Sequence, residues 1–283
     1  MKKIFAAIFA LSLLLGGCAA NTGRRIDENR QDENTSSNTT NVADTTIEPT
    51  EVALGPSGYD STAIVWGPGH IMDHERPVDP TKLQEQFGEL GGKWLMEDDK
   101  HVCLTFDEGY ENGYSAQILD TLKEKNVKAI FFCTYDYVRD NPELVERMIS
   151  EGHIVGNHSY RHYNFTKIDI ATAEEEITVL HDYVNDKFGY EMKYFRFPEG
   201  AFSQQALAIV SSLGYETLFW SFAYADWDTS SPPDPSDAYD LITSSTHPGA
   251  IILLHAVSST NADILGSVID NVREQGYTFT TDL

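Results

Sequence analysis

From His101 to its C-terminus the chain repeats one unit, a short apolar run followed by an amphipathic stretch. The runs Val102–Phe106, Ala129–Cys133, His153–Gly156, Tyr194–Phe197, Glu216–Trp220 and Ala250–Leu254 have strand length, and a last strand is expected near Tyr277–Thr280. Between them the apolar spacing predicts helices over Tyr114–Lys125, Pro142–Glu151, Ala171–Lys187, Ser203–Leu213 and Asn261–Gln275. In the first of these Ile118, Leu119 and Leu122 share a face, and Pro142 opens the second where its missing N–H costs nothing. Glu174, Glu175 and Glu176 sit in the front half of the third, the end that a helix dipole favours for acids. Repeated β-α units of this size fold as a parallel sheet with helices outside, open or closed into a barrel. In such folds chemistry gathers at the C-terminal ends of the strands.

Those ends are not bland. The first run stops at Asp107 and Glu108, with Gly109 turning the chain directly after. A buried carboxylate is costly unless it is paired or bound to a cation, so partners are expected elsewhere. The third run leads into His158 and His162, four apart, which on a helical turn would face one metal ion. Two histidines and a carboxylate leave coordination positions open for water, as a catalytic site requires. Arg196 then heads Arg196-Phe197-Pro198-Glu199-Gly200; Arg can hold a carboxylate ionised and oriented, and the Pro-Gly loop can present backbone N–H groups. Asp226-Trp227 and Leu253-Leu254-His255 follow. One polar strand end has many structural explanations; five in succession point to a site.

The charge balance removes several partners. Against 44 acidic residues stand 20 Lys and Arg, a net charge of −24. Such a surface repels nucleic acid phosphates and anionic headgroups. At the N-terminus Lys2 and Lys3 precede an apolar run, Ile4 to Leu15, too short for a membrane span. Residues 1–17 therefore read as an export signal. Residues 18–58 are rich in Asn, Thr, Ser, Asp and Glu and cannot bury enough surface to offset their ordering entropy, so they read as a flexible polar linker. Residues 59–100 carry aromatic anchors (Trp66, Phe87, Trp94) among Pro and Gly, and read as an irregular extension packed on a domain spanning 101–283, with one short helix near Pro80–Phe87. Cys103 and Cys133 lie in apolar runs and read as buried thiols.

Five motifs in order, Thr105-Phe106-Asp107-Glu108, His158-x-x-x-His162, Arg196-x-Pro198-x-Gly200, Asp226-Trp227 and Leu253-x-His255, resemble those of the polysaccharide deacetylase family, the carbohydrate esterases with a NodB-homology domain. The resemblance runs from about Trp66 to the end. Within the family, Thr105–Tyr114 and His247–Ala256 look most like the delta-lactam-biosynthetic de-N-acetylases, which act on N-acetylmuramic acid of peptidoglycan. Leu15-Gly16-Gly17-Cys18 likewise resembles a bacterial lipobox, implying lipidation of Cys18 and a protein that is exported, held at the membrane by acyl chains and turned toward the cell wall or periplasm.

The resemblance implies a distorted (β/α) barrel of about seven parallel strands, a monomer, and a hydrolase that removes acetyl groups from a glycan strand. It implies Asp107 as general base, oriented by Arg196, and His255 as general acid, tuned by Asp226. His158, His162 and Glu108 would hold a divalent metal, zinc foremost, with cobalt or another divalent ion as alternatives. The Glu199 N–H would serve the oxyanion, and Trp227, Leu253 and Tyr110 would line the substrate pocket. The other readings are a deacetylase of N-acetylglucosamine, chitooligosaccharide or xylan, and, in a different class, a non-catalytic glycan-binding lipoprotein. Two residues depart from the family pattern. Glu108 stands where Asp is usual and Asn is common in the lactam group, and being one methylene longer it either meets the metal at a shifted angle or leaves that place to water. Glu199 adds negative charge beside the expected substrate, repelling an anionic one unless its side chain points away. His70, His74, His101, His153, His181 and His247 match no catalytic position.

Overall fold

A computed structural model describes residues 55–67 and 73–283. The expected export signal, Cys18, the polar linker up to residue 54, and His70 lie outside the described residues. In chain order the elements are β1 (Ile64–Val65), α1 (Val78–Phe87), β2 (Gly92–Lys93), β3 (His101–Glu108), α2 (Ser115–Glu124), β4 (Ile130–Cys133), α3 (Tyr135–Asp140), α4 (Pro142–Ser150) and β5 (Ile154–Asn157). Then come α5 (Ile170–Phe188), β6 (Tyr194–Phe195), β7 (Ala201–Phe202), α6 (Gln204–Ser212), β8 (Glu216–Leu218), α7 (Pro235–Ser245), β9 (Ala250–His255), α8 (Ser259–Glu274) and β10 (Thr278–Phe279). The helices begin where sequence chemistry dictates: Asp169, Ser203 and Ser258 each accept a first-turn N–H, from Thr172, Ala206 and Asn261.

Seven strands in the order β9-β3-β4-β5-β6-β8-β2 pair in parallel and curl into a half-barrel, while β10 pairs beside the start of β3. The curl is tied across its ends. Beyond β8, Phe222 bridges Ile252 of β9, and Met96, just past β2, donates to the Gly249 carbonyl at 2.9 Å. The expected distorted barrel is thus the fold found. The segment before His101 contributes β2 to this sheet, and β1 pairs antiparallel with β7. Trp94 is fully buried and stacks on Phe219 at 4.2 Å between ring centres.

Side-chain alternation along β3 decides what faces what. Phe106 stacks on its registered neighbour Phe131 on one face, whereas Thr105 and Asp107 meet Arg196 on the other. Phe132, registered with Asp107, carries the Arg196 guanidinium 4.1 Å above its ring. Room for that ring comes from Gly156 on β5, where a Cβ would sit 2.5 Å from Phe132 carbons. Cys103 and Cys133 are buried and unpaired, as expected. Among the described residues no helix is long and apolar enough to cross a membrane.

Candidate active site

The strand β3 runs two residues further than its apolar stretch suggests, carrying both acids within the sheet. Its register sets Asp107 opposite His255 on β9. Registered neighbours on parallel strands point to the same face, so these two side chains open into one cavity. Asp107 is held from beneath. The guanidinium of Arg196 donates to its Oδ1 at 2.8 Å, to Thr105 Oγ1 at 2.8 Å, and to the Leu218 and Phe219 carbonyls at 2.9 and 3.0 Å. Burial works against the Asp107 carboxylate, but the Arg196 guanidinium, with the imidazoles of His158 and His255 nearby, keeps its pKa below the usual value.

His158 and His162 come together, though not on a helical turn. After β5 the chain bends, with Ser159 and His162 both in the left-handed region at φ 71° and 57°. Side chains hold this bend. Asn157 Oδ1 accepts the Ser159 N–H at 2.9 Å, and Ser159 Oγ accepts the His162 N–H at 3.0 Å. The fully buried Glu176 of α5 accepts the Arg161 N–H at 2.7 Å. The rings of His158 and His162 end 4.9 Å apart. The helical-turn expectation failed because local hydrogen bonds from Asn and Ser compete with helix formation.

His158 Nδ1 lies 2.9 Å from the Arg196 carbonyl, an acceptor, so Nδ1 carries the proton and Nε2 presents its lone pair. Burial, and the nearby His162 and Arg196, push its pKa down to about 4 despite Asp107, so the ring is neutral. Its Nε2 stands 3.5 Å from Asp107 Oδ2. A lone pair facing a carboxylate, with a second imidazole alongside, is a donor set that fits a cation.

Glu108 is not part of that set. Alternation turns it to the opposite face, toward Ser115 and Tyr137 on α2 and α3, and it does not line the cavity. It is fully buried with neither oxygen hydrogen-bonded. Burial first, then the charges of Glu111 and Asp107, push its pKa well above the usual carboxylate range. The expectation that Glu108 would join the histidines therefore departs from the arrangement found. The sequence reading ended the strand at Phe106, whereas β3 continues and sends adjacent side chains to opposite faces. Among the described residues no group of three or more His, Cys, Asp or Glu is gathered to hold a metal.

On the other wall Asp226 Oδ1 meets His255 Nδ1 at 2.7 Å and Oδ2 accepts the His255 N–H at 2.8 Å. Burial opposes the imidazolium, but the Asp226 carboxylate, helped by Asp107, raises the His255 pKa above its ordinary value. Trp227 lies edge-on to His255, 5.7 Å between centres, and Leu253 and Tyr110 line the same cavity of about 800 Å³. Glu199 sits at its rim with φ 59°, a backbone state non-glycine residues rarely hold, followed by Gly200 at φ 63°. A side chain at Gly200 would strike the Trp66 carbonyl at 2.6 Å. Glu199 Oε2 accepts from Asn164 Nδ2 at 2.8 Å, which ties its carboxylate to the loop beyond His162.

These features have counterparts. The polysaccharide deacetylase family matches residues 96–218. Over 218 residues, 76% of this chain and 83% of the relative, the sequence is 38% identical to the peptidoglycan-N-acetylmuramic acid deacetylase PdaA of Bacillus subtilis. This chain belongs to the polysaccharide deacetylase family. This deacetylase is also 43% identical to an uncharacterized 30.6 kDa protein of Geobacillus stearothermophilus, over 76% of this chain and 82% of that one. The solved structure of Bacillus subtilis PdaA, a family 4 carbohydrate esterase, matches it with a TM-score of 0.75 at 38% identity, covering 78% of this chain and 95% of that one.

Several residues around the site were not singled out from the sequence. Thr105, Asn157 and Glu176 orient the base and the histidine loop, and Asn261 reaches Asp226 from α8. Thr105, as the first residue of the first motif, and Asn157, adjacent to His158, carried a signal in their positions. The remaining histidines with described contacts are structural. His153 Nδ1 accepts the Ala129 N–H at 3.2 Å, and His247 Nε2 meets Ser221 Oγ at 3.0 Å.

Proposed function

We propose that this protein hydrolyses the N-acetyl group of N-acetylmuramic acid in peptidoglycan, on glycan lacking stem peptides. The observation that carries the reading is the β3–β9 register, which sets a carboxylate and an imidazole side by side in one cavity, with the carboxylate pKa pushed down and the imidazole pKa pushed up. The 38% identity to a muramic acid deacetylase supports the choice of sugar.

Asp107, ionised and held by Arg196, takes the proton of the attacking water. His255, charged and backed by Asp226, gives a proton to the departing amine, so base and acid are separate groups. The Glu199 N–H supports the acetamide oxygen; such a preorganised donor is worth roughly 3–4 kcal/mol in the transition state. Trp227 and Leu253 wall the acetyl methyl, and Tyr110 offers a face to the sugar. His158 and His162 would hold a divalent ion, zinc by their donor chemistry, with cobalt or another divalent ion as alternatives. Such an ion, when bound, polarises a carbonyl and lowers the pKa of water from 15.7 to about 7.

Export, lipidation at Cys18, a polar stalk over 18–58, an extension over 59–100, a catalytic domain over 101–283 and a monomeric state belong to the same proposal. They rest on the sequence and fit an enzyme facing the wall. A second reading, an N-acetylglucosamine, chitooligosaccharide or xylan deacetylase, is favoured by one observation. The described residues lining the cavity include no Lys or Arg to receive a lactyl carboxylate, and Glu199 is at the rim. Acetate release from intact peptidoglycan, amidase-stripped glycan and chitooligosaccharides decides between them. The muramic reading expects the stripped glycan to lead by at least about tenfold; faster release from chitooligosaccharides overturns it.

A further inference from the structure

Behind the acid-side pair lies a polar chain that the roles above do not use. Asn261, in the first turn of α8, is 1% exposed and has every polar side-chain atom engaged. Its Nδ2 donates to Asp226 Oδ2 at 2.5 Å and to the His255 carbonyl at 3.1 Å, and its Oδ1 accepts the Tyr224 hydroxyl. The amide has one workable orientation. Tyr224 offers its hydroxyl proton to Oδ1, and a flipped amide would turn an oxygen lone pair against a carboxylate. Ser258 Oγ accepts the Asn261 backbone N–H at 3.3 Å and so fixes the side chain's origin. Asp226 Oδ2 thus has two donors, the His255 N–H and Asn261, leaving Oδ1 alone for the imidazole.

We infer that Asn261, itself oriented by Tyr224, is a positioning residue that locks the Asp226 carboxylate in the rotamer that serves His255. The inference rests on the assignment of His255 as general acid. With Oδ2 held by the Asn261 amide and the His255 N–H, the carboxylate cannot rotate and Oδ1 stays aimed at the imidazole. The charged and titratable groups facing this pair are Asp226 itself, Asp107 on β3, Arg196 beyond β6 and Tyr224. None of the others bonds Asp226 Oδ2, so the chain of contacts runs through Asn261 alone.

The test is the pH profile of deacetylation by the full-length, metal-loaded protein with Asn261→Ala and Tyr224→Phe. Asn261→Ala should lower kcat about tenfold with KM and metal content retained, because an acid group contributes roughly 10²–10⁴ and here is displaced rather than removed. The alkaline limb of kcat should move to lower pH, since a loosened Asp226 stabilises the imidazolium less. Tyr224→Phe, which keeps the ring packing, should move the limb the same way by less. A profile scaled down without moving, or moved to higher pH, overturns the inference and leaves Asn261 a packing residue. Should Asn261→Ala fail to fold, Tyr224→Phe alone decides by the same criterion. His255→Gln separates the two levels: it should abolish the alkaline limb, and if that limb survives, the general-acid assignment is what fails.

Discussion

Asp107 and Glu108 are neighbours with opposite chemistry, and the difference is one step of strand alternation. Asp107 faces Arg196, which holds its pKa down; Glu108 faces the helices, where burial pushes its pKa up. Asp107→Asn should keep fold and metal yet abolish acetate release, and full residual activity would refute its role as base. Glu108→Gln should leave metal content unchanged and raise stability. The sign follows from linkage. A carboxyl whose folded pKa is raised holds its proton in the native state while the unfolded chain gives it up, so stability falls as pH rises above about 4.3. Glutamine removes that dependence. The variant should therefore melt higher at pH 7–8, with the gap closing near pH 4. Melting curves across pH check this; a lower melting point at pH 8, or lost metal, would return Glu108 to the ligand set.

At the scale of elements, much was legible. The apolar runs gave six core strands to within a few residues, because buried parallel strands leave continuous apolar stretches that polar loops interrupt. What the sequence could not reveal was tertiary in origin. Two-residue β2 exists only through β8, and α3 and α7 lacked a clear apolar period, though Thr134 and Asp234 cap them. The bend between His158 and His162 depends on Glu176, fourteen residues beyond His162 and, in the sequence, one more acid on a helix front. With His158 and His162 as the proposed ligands, Glu176→Ala should free that bend and weaken binding of added zinc by roughly 10–100-fold, the usual effect of losing a group that orients metal ligands. Competition titration with a chelating dye measures it, and unchanged affinity would show that Asn157 and Ser159 suffice.

For the whole molecule, the order of the curled sheet explains why motifs spread from Thr105 to His255 meet in one cavity: β9, last of the long strands, inserts beside β3, the first. That insertion is invisible to periodicity, and the likeness of the motifs carried it instead. The lipidation proposed for Cys18 is tested at this scale. Cys18→Ser should move the protein from the membrane fraction to the medium without changing its activity on soluble glycan; retention at the membrane would point to another anchor.

Arg196 has one more consequence. Its guanidinium is fully buried, bonded to two carbonyls, a hydroxyl and Asp107, and spans the half-barrel like a crossbar. Dissolved ions reach such a pair poorly, whereas they shield the acidic exterior within about 8 Å at physiological ionic strength. The enzyme should thus be salt-tolerant in kcat while KM for a charged glycan drifts with ionic strength. Turnover measured from about 0.05 to 1 M sodium chloride would show a flat kcat; a steep fall would mean that the crossbar is open to water.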